Sequence, residues 1–229
     1  MSIVNRVSRP LSRDRQTYRD DRLFVVACDD TYAPKQYFDS FRISRVQVHI
    51  VPTRDGTSAA QHVLSRLEGF KSEVKQDEGD ELWMLLDTDH YATGQHQAGF
   101  LKAIQAARHQ GIKVALSKPC FELWLLLHLT DDLARLRELA DAKAAGTLMQ
   151  ELLGAYNKTR INVAAYTPLS VRDACERGVT LDTGTGGGDI PTAPTSRVYQ
   201  LWDALLQKAS QAQLHPDFLA IRGVFTGSR

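Results

Sequence analysis

Apolar and polar residues alternate along the first half of the chain in a pattern that changes repeatedly between strand and helix periodicity. Short apolar runs predict strands at residues 23–28 and 82–86, an alternation of apolar and polar residues predicts one at 46–51, and residues 112–116 are predicted as a fourth strand. Apolar positions three or four residues apart predict helices at residues 34–41, 58–75 and about 100–107. Strands that alternate with helices in this way predict an α/β fold with a parallel sheet covered by helices.

The second half of the chain has helical periodicity only. It predicts helices at residues 121–129, 131–140, 147–156, 169–177 and 196–211. The glycine-rich residues 183–189 lie between two of these helices, and we interpret them as a connector because a phosphate-binding loop would follow a strand and end in Gly-Lys-Ser/Thr. A chain of 229 residues favours one dominant core. We therefore expect an N-terminal arm at 1–21, an α/β core at 22–130 and a helical extension at 131–229 packed on it.

Acidic residues follow two of the predicted buried strands directly. Asp29 follows the first strand, and Asp87 and Asp89 follow the third. Ligands of parallel sheets bind beyond the carboxyl ends of the strands, and strands one and three are neighbours in many such sheets. Asp87 and Asp89 point the same way if the chain stays extended. We therefore expect the three carboxylates to share a pocket, although each acid alone is also explained as a helix cap.

Carboxylates gathered in one pocket repel one another unless one is protonated or a cation lies between them. Their hard oxygen atoms select Mg²⁺, Mn²⁺ or Ca²⁺. Glu122 follows the fourth strand, in the first turn of a predicted helix, and is either a further metal ligand or a residue that favours the helix dipole. The adjacent Asp30 is expected to point away from Asp29 unless the turn reverses it, and His128 is expected to be a core histidine.

Composition and charge exclude several classes of protein. The chain has 43% hydrophobic and 24% charged residues and a net charge of +1, so it is an ordinary globular protein whose bulk charge does not indicate a nucleic-acid partner. Its three cysteines show neither disulfide nor zinc-ligand spacing, and no apolar stretch could span a membrane, which favours a cytoplasmic protein. The first 22 residues carry arginines that make this end of the chain basic, as either a phosphate contact or a solvated terminus: Arg6, Arg9, Arg13, Arg15, Arg19 and Arg22.

Several blocks of the sequence resemble the RloB family, and the resemblance covers about residues 8–210. The most specific block is Pro-Cys-Phe-Glu-Leu-Trp-Leu, at residues 119–125, within the longer segment 117–128. The other matching blocks are residues 23–29, Gln-Tyr-Phe at 36–38, residues 81–89, Tyr-Asn-Lys at 156–158 and Ser-Arg-Val-Tyr at 196–199.

The resemblance implies a Toprim-like fold, a link to restriction or abortive-infection loci, and a metal-dependent nuclease. It implies that Asp29, Asp87 and Asp89 form the metal site and that Glu122 and Lys158 correspond to the helical glutamate and the later lysine of similar nucleases. Lys158 is otherwise explained as a solvated lysine. The candidates for contacts with nucleic acid are Lys118, Arg160 and Arg197. The family usually has a Glu-Gly-Glu-like turn after the first strand, whereas this chain has Asp29-Asp30-Thr31, so Asp29 reaches less far as a base.

These observations favour a nuclease that hydrolyses phosphodiester bonds in DNA or RNA with Mg²⁺ or Mn²⁺, as an antiphage-defence effector. Asp29, Glu122 and Lys158 are its expected catalytic residues. The main alternative is a degenerate Toprim-like module that binds nucleic acid or a defence partner protein. A phosphotransfer pocket using Lys118 fits the sequence around that residue poorly. The sequence leaves open whether the chain forms a homodimer.

Overall fold

The computed structural model describes residues 21–53, 58–89, 95–185 and 188–226. Within them, five strands form one sheet in the order β2-β1-β3-β4-β5. The strands are β1 (Arg22–Cys28), β2 (Val46–Val51), β3 (Glu81–Asp87), β4 (Lys113–Lys118) and β5 (Thr195–Ser196). The first four are parallel and β5 is antiparallel to β4. This confirms the predicted α/β fold class and is consistent with the Toprim-like description.

Helices cover both faces of the sheet. They are α1 (Tyr32–Asp39), α2 (Ala60–Glu73), α3 (Gln95–His109), α4 (Phe121–Leu129), α5 (Leu133–Arg137), α6 (Ala142–Leu153), α7 (Pro168–Thr183), α8 (Val198–Lys208) and α9 (Pro216–Thr226). Because side chains alternate along β1, Val25 and Ala27 pack in one apolar cluster with α2 and α3, whereas Phe24 and Val26 pack in the other with α1, α4 and the C-terminal helices. This two-sided burial explains why the central strands β1 and β3 are continuous apolar runs.

Helix α4 lies at the centre of the larger cluster. Seven of its nine residues, including Trp124 and His128, are buried. The helix therefore shows no polar face to solvent, because β4, α6 and α7 surround it. Its first turn emerges at the carboxyl end of β4.

The register of the sheet brings the predicted acidic strand ends together. Strand β1 pairs with β3, with Cys28 opposite Leu85, so Asp29 follows directly beside the end of β3. Asp87 lies opposite Ser117 of β4. The next residue, Thr88, donates its backbone N–H to the carbonyls of Ser117 (3.0 Å) and Pro119 (3.1 Å), which joins this end of β3 to the segment before α4.

Two elements were not predicted, and several boundaries differ. Strand β5 and helix α9 had no counterpart in the sequence analysis, and α6 lies about five residues before its predicted position. The basic arm predicted at 1–21 lies outside the described residues except for its last residue. The glycine-rich connector is described on both sides of residues 186–187, and its Asp189 forms an ion pair with Arg108 of α3. No helix of the described chain is long and apolar enough to cross a membrane.

Candidate acidic active site

A pocket of about 750 Å³ lies at the carboxyl ends of the parallel strands. Its walls come from the ends of β1 and β3, the starts of α1, α4 and α6, and the segment after α6, together with Thr53 and Ser58 from the connection between β2 and α2. The charged residues that line it include Asp29, Asp30, Asp87, Asp89, Glu122 and Lys158. The structure thus brings the four predicted carboxylates and the predicted lysine to one pocket.

Asp29 is fixed by backbone hydrogen bonds at both of its carboxylate oxygens. Its Oδ2 accepts from the backbone N–H of Asp87 at 2.8 Å, and its Oδ1 accepts from that of Asp30 at 2.9 Å. These bonds favour the ionised carboxylate, but burial outweighs them and raises the pKa of Asp29 to about 6. Asp29 therefore connects β1 to β3 and stays charged at neutral pH at a cost in stability.

Asp87 lies in the most strongly negative environment of the pocket. Burial raises its pKa well above the ordinary value, and the negative charges of Asp29 and Glu122 raise it further. Asp89 contributes a smaller effect in the same direction. The carboxylates are therefore close enough to repel one another, and a proton or a cation in the pocket would relieve that repulsion.

The donor set fits a hard divalent cation in its chemistry, because the five carboxylates that line the pocket offer only oxygen ligands. Its geometry does not form a closed ligand shell. In the described part of the chain, no group of three or more His, Cys, Asp or Glu side chains is arranged to hold a metal ion. Cation binding would therefore require rotation of carboxylates such as Asp87 and Asp89 about their side-chain bonds.

Glu122 is held by a tyrosine that the sequence analysis did not assign to the site. The hydroxyl of Tyr156 donates to Glu122 Oε1 at 2.8 Å, and burial followed by the charge of Glu122 raises the pKa of Tyr156. Burial and the charge of Glu122 also raise the pKa of Tyr166, which is only 4% exposed. The Tyr-Asn-Lys block drew attention to residue 156, but only tertiary contact shows its partner.

Lys158 reaches the pocket through an ion pair with Asp30. Its Nζ lies 2.9 Å from Asp30 Oδ2, and this hydrogen bond is the main reason that the pKa of Lys158 is raised. Asp30 does not point away from the pocket, as an extended chain would require, because the chain turns and Asp30 Oδ1 accepts from the backbone N–H of Tyr32. The Lys158 side chain remains 57% exposed, so its ammonium group is accessible to a ligand.

Gln36 fixes the segment that carries Lys158 against helix α1. Its Nε2 donates to the carbonyl of Lys158 at 3.3 Å, and its Oε1 accepts from the backbone N–H of Ile161 at 3.0 Å. The same Nε2 donates to the carbonyl of Tyr32 at 2.9 Å. Gln36 therefore positions Lys158 without contacting the carboxylates itself.

The three predicted nucleic-acid contacts are not among the residues that line the described pocket. Arg197 is 8% exposed, donates to Asp182 Oδ1 at 2.9 Å and to the carbonyl of Gly188 at 2.9 Å, and so has a structural role. The Lys118 ammonium donates to the carbonyls of residues 191 and 192 and holds the segment before β5. Arg160 is exposed close to the Lys158 segment, where its backbone N–H donates to Asn157.

His128 is a core histidine, as predicted. Its Nδ1 lies 2.8 Å from the carbonyl of Trp124, which can only accept, so Nδ1 carries the proton. Its Nε2 then accepts from the hydroxyl of Tyr37 at 2.9 Å. Burial lowers the pKa of His128 to about 3.

A family model described as RloB-like protein matches residues 24–205. The match includes every residue of the acidic pocket named above and most of the helical extension. No curated protein and no solved structure matches the chain significantly.

Proposed function

This chain belongs to the RloB-like family, and we propose that it is a nuclease. It would hydrolyse phosphodiester bonds in DNA or RNA with Mg²⁺ or Mn²⁺. The observation that carries the proposal is the convergence of Asp29, Asp87, Asp89 and Glu122, from three separate stretches, on one pocket. Burial and mutual repulsion raise the pKa of both Asp29 and Asp87. Structural carboxylates more often cap helices or pair with basic groups, whereas a cluster that is destabilised by its own charge supports a site for a cationic ligand.

Each pocket residue has a distinct role in this proposal. Asp29, Asp87, Asp89 and Glu122 would hold the cation, whose chemistry is to lower the pKa of a bound water and neutralise the phosphate oxygens. Lys158 places its ammonium group at the same pocket and offsets negative charge that develops on the phosphate. Tyr156 keeps Glu122 oriented towards the pocket through its hydrogen bond.

The test is a cleavage assay of the purified protein on single-stranded and double-stranded DNA and RNA, with Mg²⁺, with Mn²⁺ and with chelator. Cleavage that requires the metal and disappears in Asp87→Asn/Asp89→Asn supports the proposal. Asp39→Asn is the matched control, because Asp39 is exposed on helix α1 and its ion pair among the described residues is with Lys35. A wild type that leaves all four substrates intact, alongside an active control nuclease, would contradict it.

A degenerate site that only binds nucleic acid or a partner protein is the second candidate. Both oxygens of Asp29 already accept backbone hydrogen bonds, and aspartate stands where the family usually has the longer glutamate. Asp29→Glu separates the two candidates, since cleavage by this variant but not by the wild type identifies a site that has lost turnover.

We further propose that the protein acts as an antiphage-defence effector in the cytoplasm. Its three cysteines are buried and unpaired, which supports a reducing compartment. Phage plaque counts on cells that express the wild type or Asp87→Asn/Asp89→Asn would test the defence role. Equal counts in both strains would argue against it.

A further inference from the structure

An exposed tyrosine lies at the mouth of the acidic pocket. Tyr32 lines the pocket and is 59% exposed, the highest value among the large apolar side chains described as exposed. Its backbone is held on both sides, since its N–H donates to Asp30 Oδ1 at 2.9 Å and its carbonyl accepts from Gln36 Nε2 at 2.9 Å. The ring itself makes no aromatic contact with another described residue. The backbone hydrogen bonds therefore fix the position of Tyr32, while the face of its ring remains open to a ligand.

A lysine without an ionic partner lines the same pocket. Lys143 is exposed in the first turn of α6, and within the described chain its ammonium group forms no ion pair. It differs in this respect from Lys158, which pairs with Asp30. Gly146, one turn further along α6, also lines the pocket, and a Cβ atom at that position would contact nothing. This wall of the pocket therefore combines a free positive charge with open space.

We propose that Tyr32 stacks on an unpaired nucleobase and that Lys143 contacts a neighbouring phosphate, so that the substrate is single-stranded nucleic acid. The inference rests on the proposed function and defines its substrate class. Aromatic faces beside positive charges bind single strands because every base has a face to stack and every linkage has a phosphate.

The position of the carboxylates favours a single strand over a duplex. Asp29 and Asp87 are only partly exposed at the floor of the pocket, so a phosphodiester must enter the pocket to reach them. A single strand can bend so that one phosphate enters the pocket with its base turned outwards, whereas the bases of a duplex are stacked and paired and would have to leave the helix to reach Tyr32. The base beside the phosphate then meets the ring of Tyr32.

Binding measured without cleavage tests the inference separately from the proposed activity. Fluorescence anisotropy is recorded with a labelled unstructured single strand and with a hairpin whose stem pairs that sequence with its complement. Both are measured in Ca²⁺, a cation that takes the same oxygen ligands, and a gel checks that the strands stay intact. The wild type should bind the single strand about tenfold more tightly than the hairpin. Tyr32→Ala should weaken single-strand binding about tenfold, and Tyr32→Phe should retain it because the ring remains.

The salt dependence separates stacking from charge. Lys143→Gln should reduce the slope of log K against log salt by about 0.7, the value for one phosphate contact on a single strand, while Tyr32→Ala leaves the slope unchanged. Leu169→Ala and Lys102→Gln are matched controls, because Leu169 is also an exposed apolar residue and Lys102 an exposed lysine, and neither lines the pocket.

Each outcome identifies which proposal fails. If the wild type binds single strands through Tyr32 but cleaves nothing, the nuclease proposal fails and the inference stands. If the wild type cleaves, yet Tyr32→Ala binds and cleaves single strands as the wild type does, the inference is overturned. A wild type that binds hairpin and single strand equally, or neither of them, also overturns it.

Discussion

Replacing Asp29 by asparagine should stabilise the metal-free protein at alkaline pH. Burial raises the pKa of Asp29 to about 6 from an ordinary value of 3.8, so the native state binds this proton more tightly than the unfolded state does. Stability therefore falls as the pH rises through this interval, and the loss is complete above it. A difference of about 2 pKa units corresponds to roughly 3 kcal/mol.

Asparagine removes the charge but also removes one acceptor. Asp29 accepts from two backbone N–H groups, whereas the single amide oxygen of asparagine satisfies one of them and loses about 1 kcal/mol. The net gain at about pH 8 should therefore be roughly 2 kcal/mol. At about pH 4 the native aspartate is already protonated and the advantage of asparagine should disappear.

Urea denaturation in the presence of a chelator, at both pH values, measures these differences. Asp30→Asn is the matched control, because Asp30 is the adjacent residue and pairs with the exposed Lys158. Losing such a pair changes stability by only about 0–1 kcal/mol, and the charge of Asp30 is a minor cause of the raised pKa of Asp29, so this variant should gain much less than Asp29→Asn at about pH 8. If Asp29→Asn is destabilised equally at both pH values, Asp29 carries no charge penalty and the reasoning is wrong.

Three further predictions concern groups around the pocket. His128 has a pKa of about 3 in the native state against 6.5 unfolded. Stability should therefore fall by roughly 2 kcal/mol between pH 6.5 and about 4.5, and His128→Gln should flatten this slope in urea titrations. Arg197→Met should destabilise the protein by about 3 kcal/mol, because the largely buried Asp182 loses its cationic partner and keeps only neutral hydrogen-bond donors such as the Tyr199 hydroxyl. Arg197→Met/Asp182→Leu should recover part of this loss in thermal unfolding. Tyr156→Phe should leave the melting temperature almost unchanged but weaken Mn²⁺ binding about tenfold in calorimetry, because Glu122 loses its orienting hydrogen bond. An unchanged Mn²⁺ affinity would contradict the role given to Tyr156.

The sheet could be predicted because its central strands are buried on both faces. Strands β1 and β3 are continuous apolar runs of this kind, whereas the edge strand β2 alternates apolar and polar residues and is only partly buried. We predicted that β1 and β3 are adjacent because strands one and three are neighbours in many parallel sheets, and the observed pairing agrees with this prediction. The acids at the strand ends could be assigned to one edge of the sheet for the same reason.

Shorter and more polar elements could not be predicted from periodicity. Strand β5 has two residues, too few to show an alternation. Helix α7 continues past residue 177 through Gly178, which a local pattern would place near a helix end. That glycine is used for close packing, since a Cβ atom there would lie 3.3 Å from the ring of Tyr199 and 3.4 Å from the carbonyl of Ser196.

The partners of charged side chains also required the tertiary structure. Sequence alone suggested Arg197 as a phosphate contact, but Asp182, fifteen residues away in the chain, binds it in the interior. Tyr156 and Glu122 are separated by 34 residues and nonetheless form a hydrogen bond. A local sequence pattern indicates whether a segment forms a strand or a helix, but not which side chains a distant segment brings into contact with it. The acidic residues at the strand ends could therefore be predicted better than the partners of the basic side chains.

The blocks that resemble the RloB family are connected to one another in the structure as well as to the pocket. Gln36 binds the Lys158 segment, while the neighbouring Tyr37 hydroxyl donates to His128 of α4 and accepts from Trp202 of α8. Glu122 lies in the first turn of α4 and His128 in its last turn. Helix α1 thus fixes both the lysine side and the glutamate side of the pocket, so the geometry of the acidic site depends on core packing that its charged residues alone do not reveal.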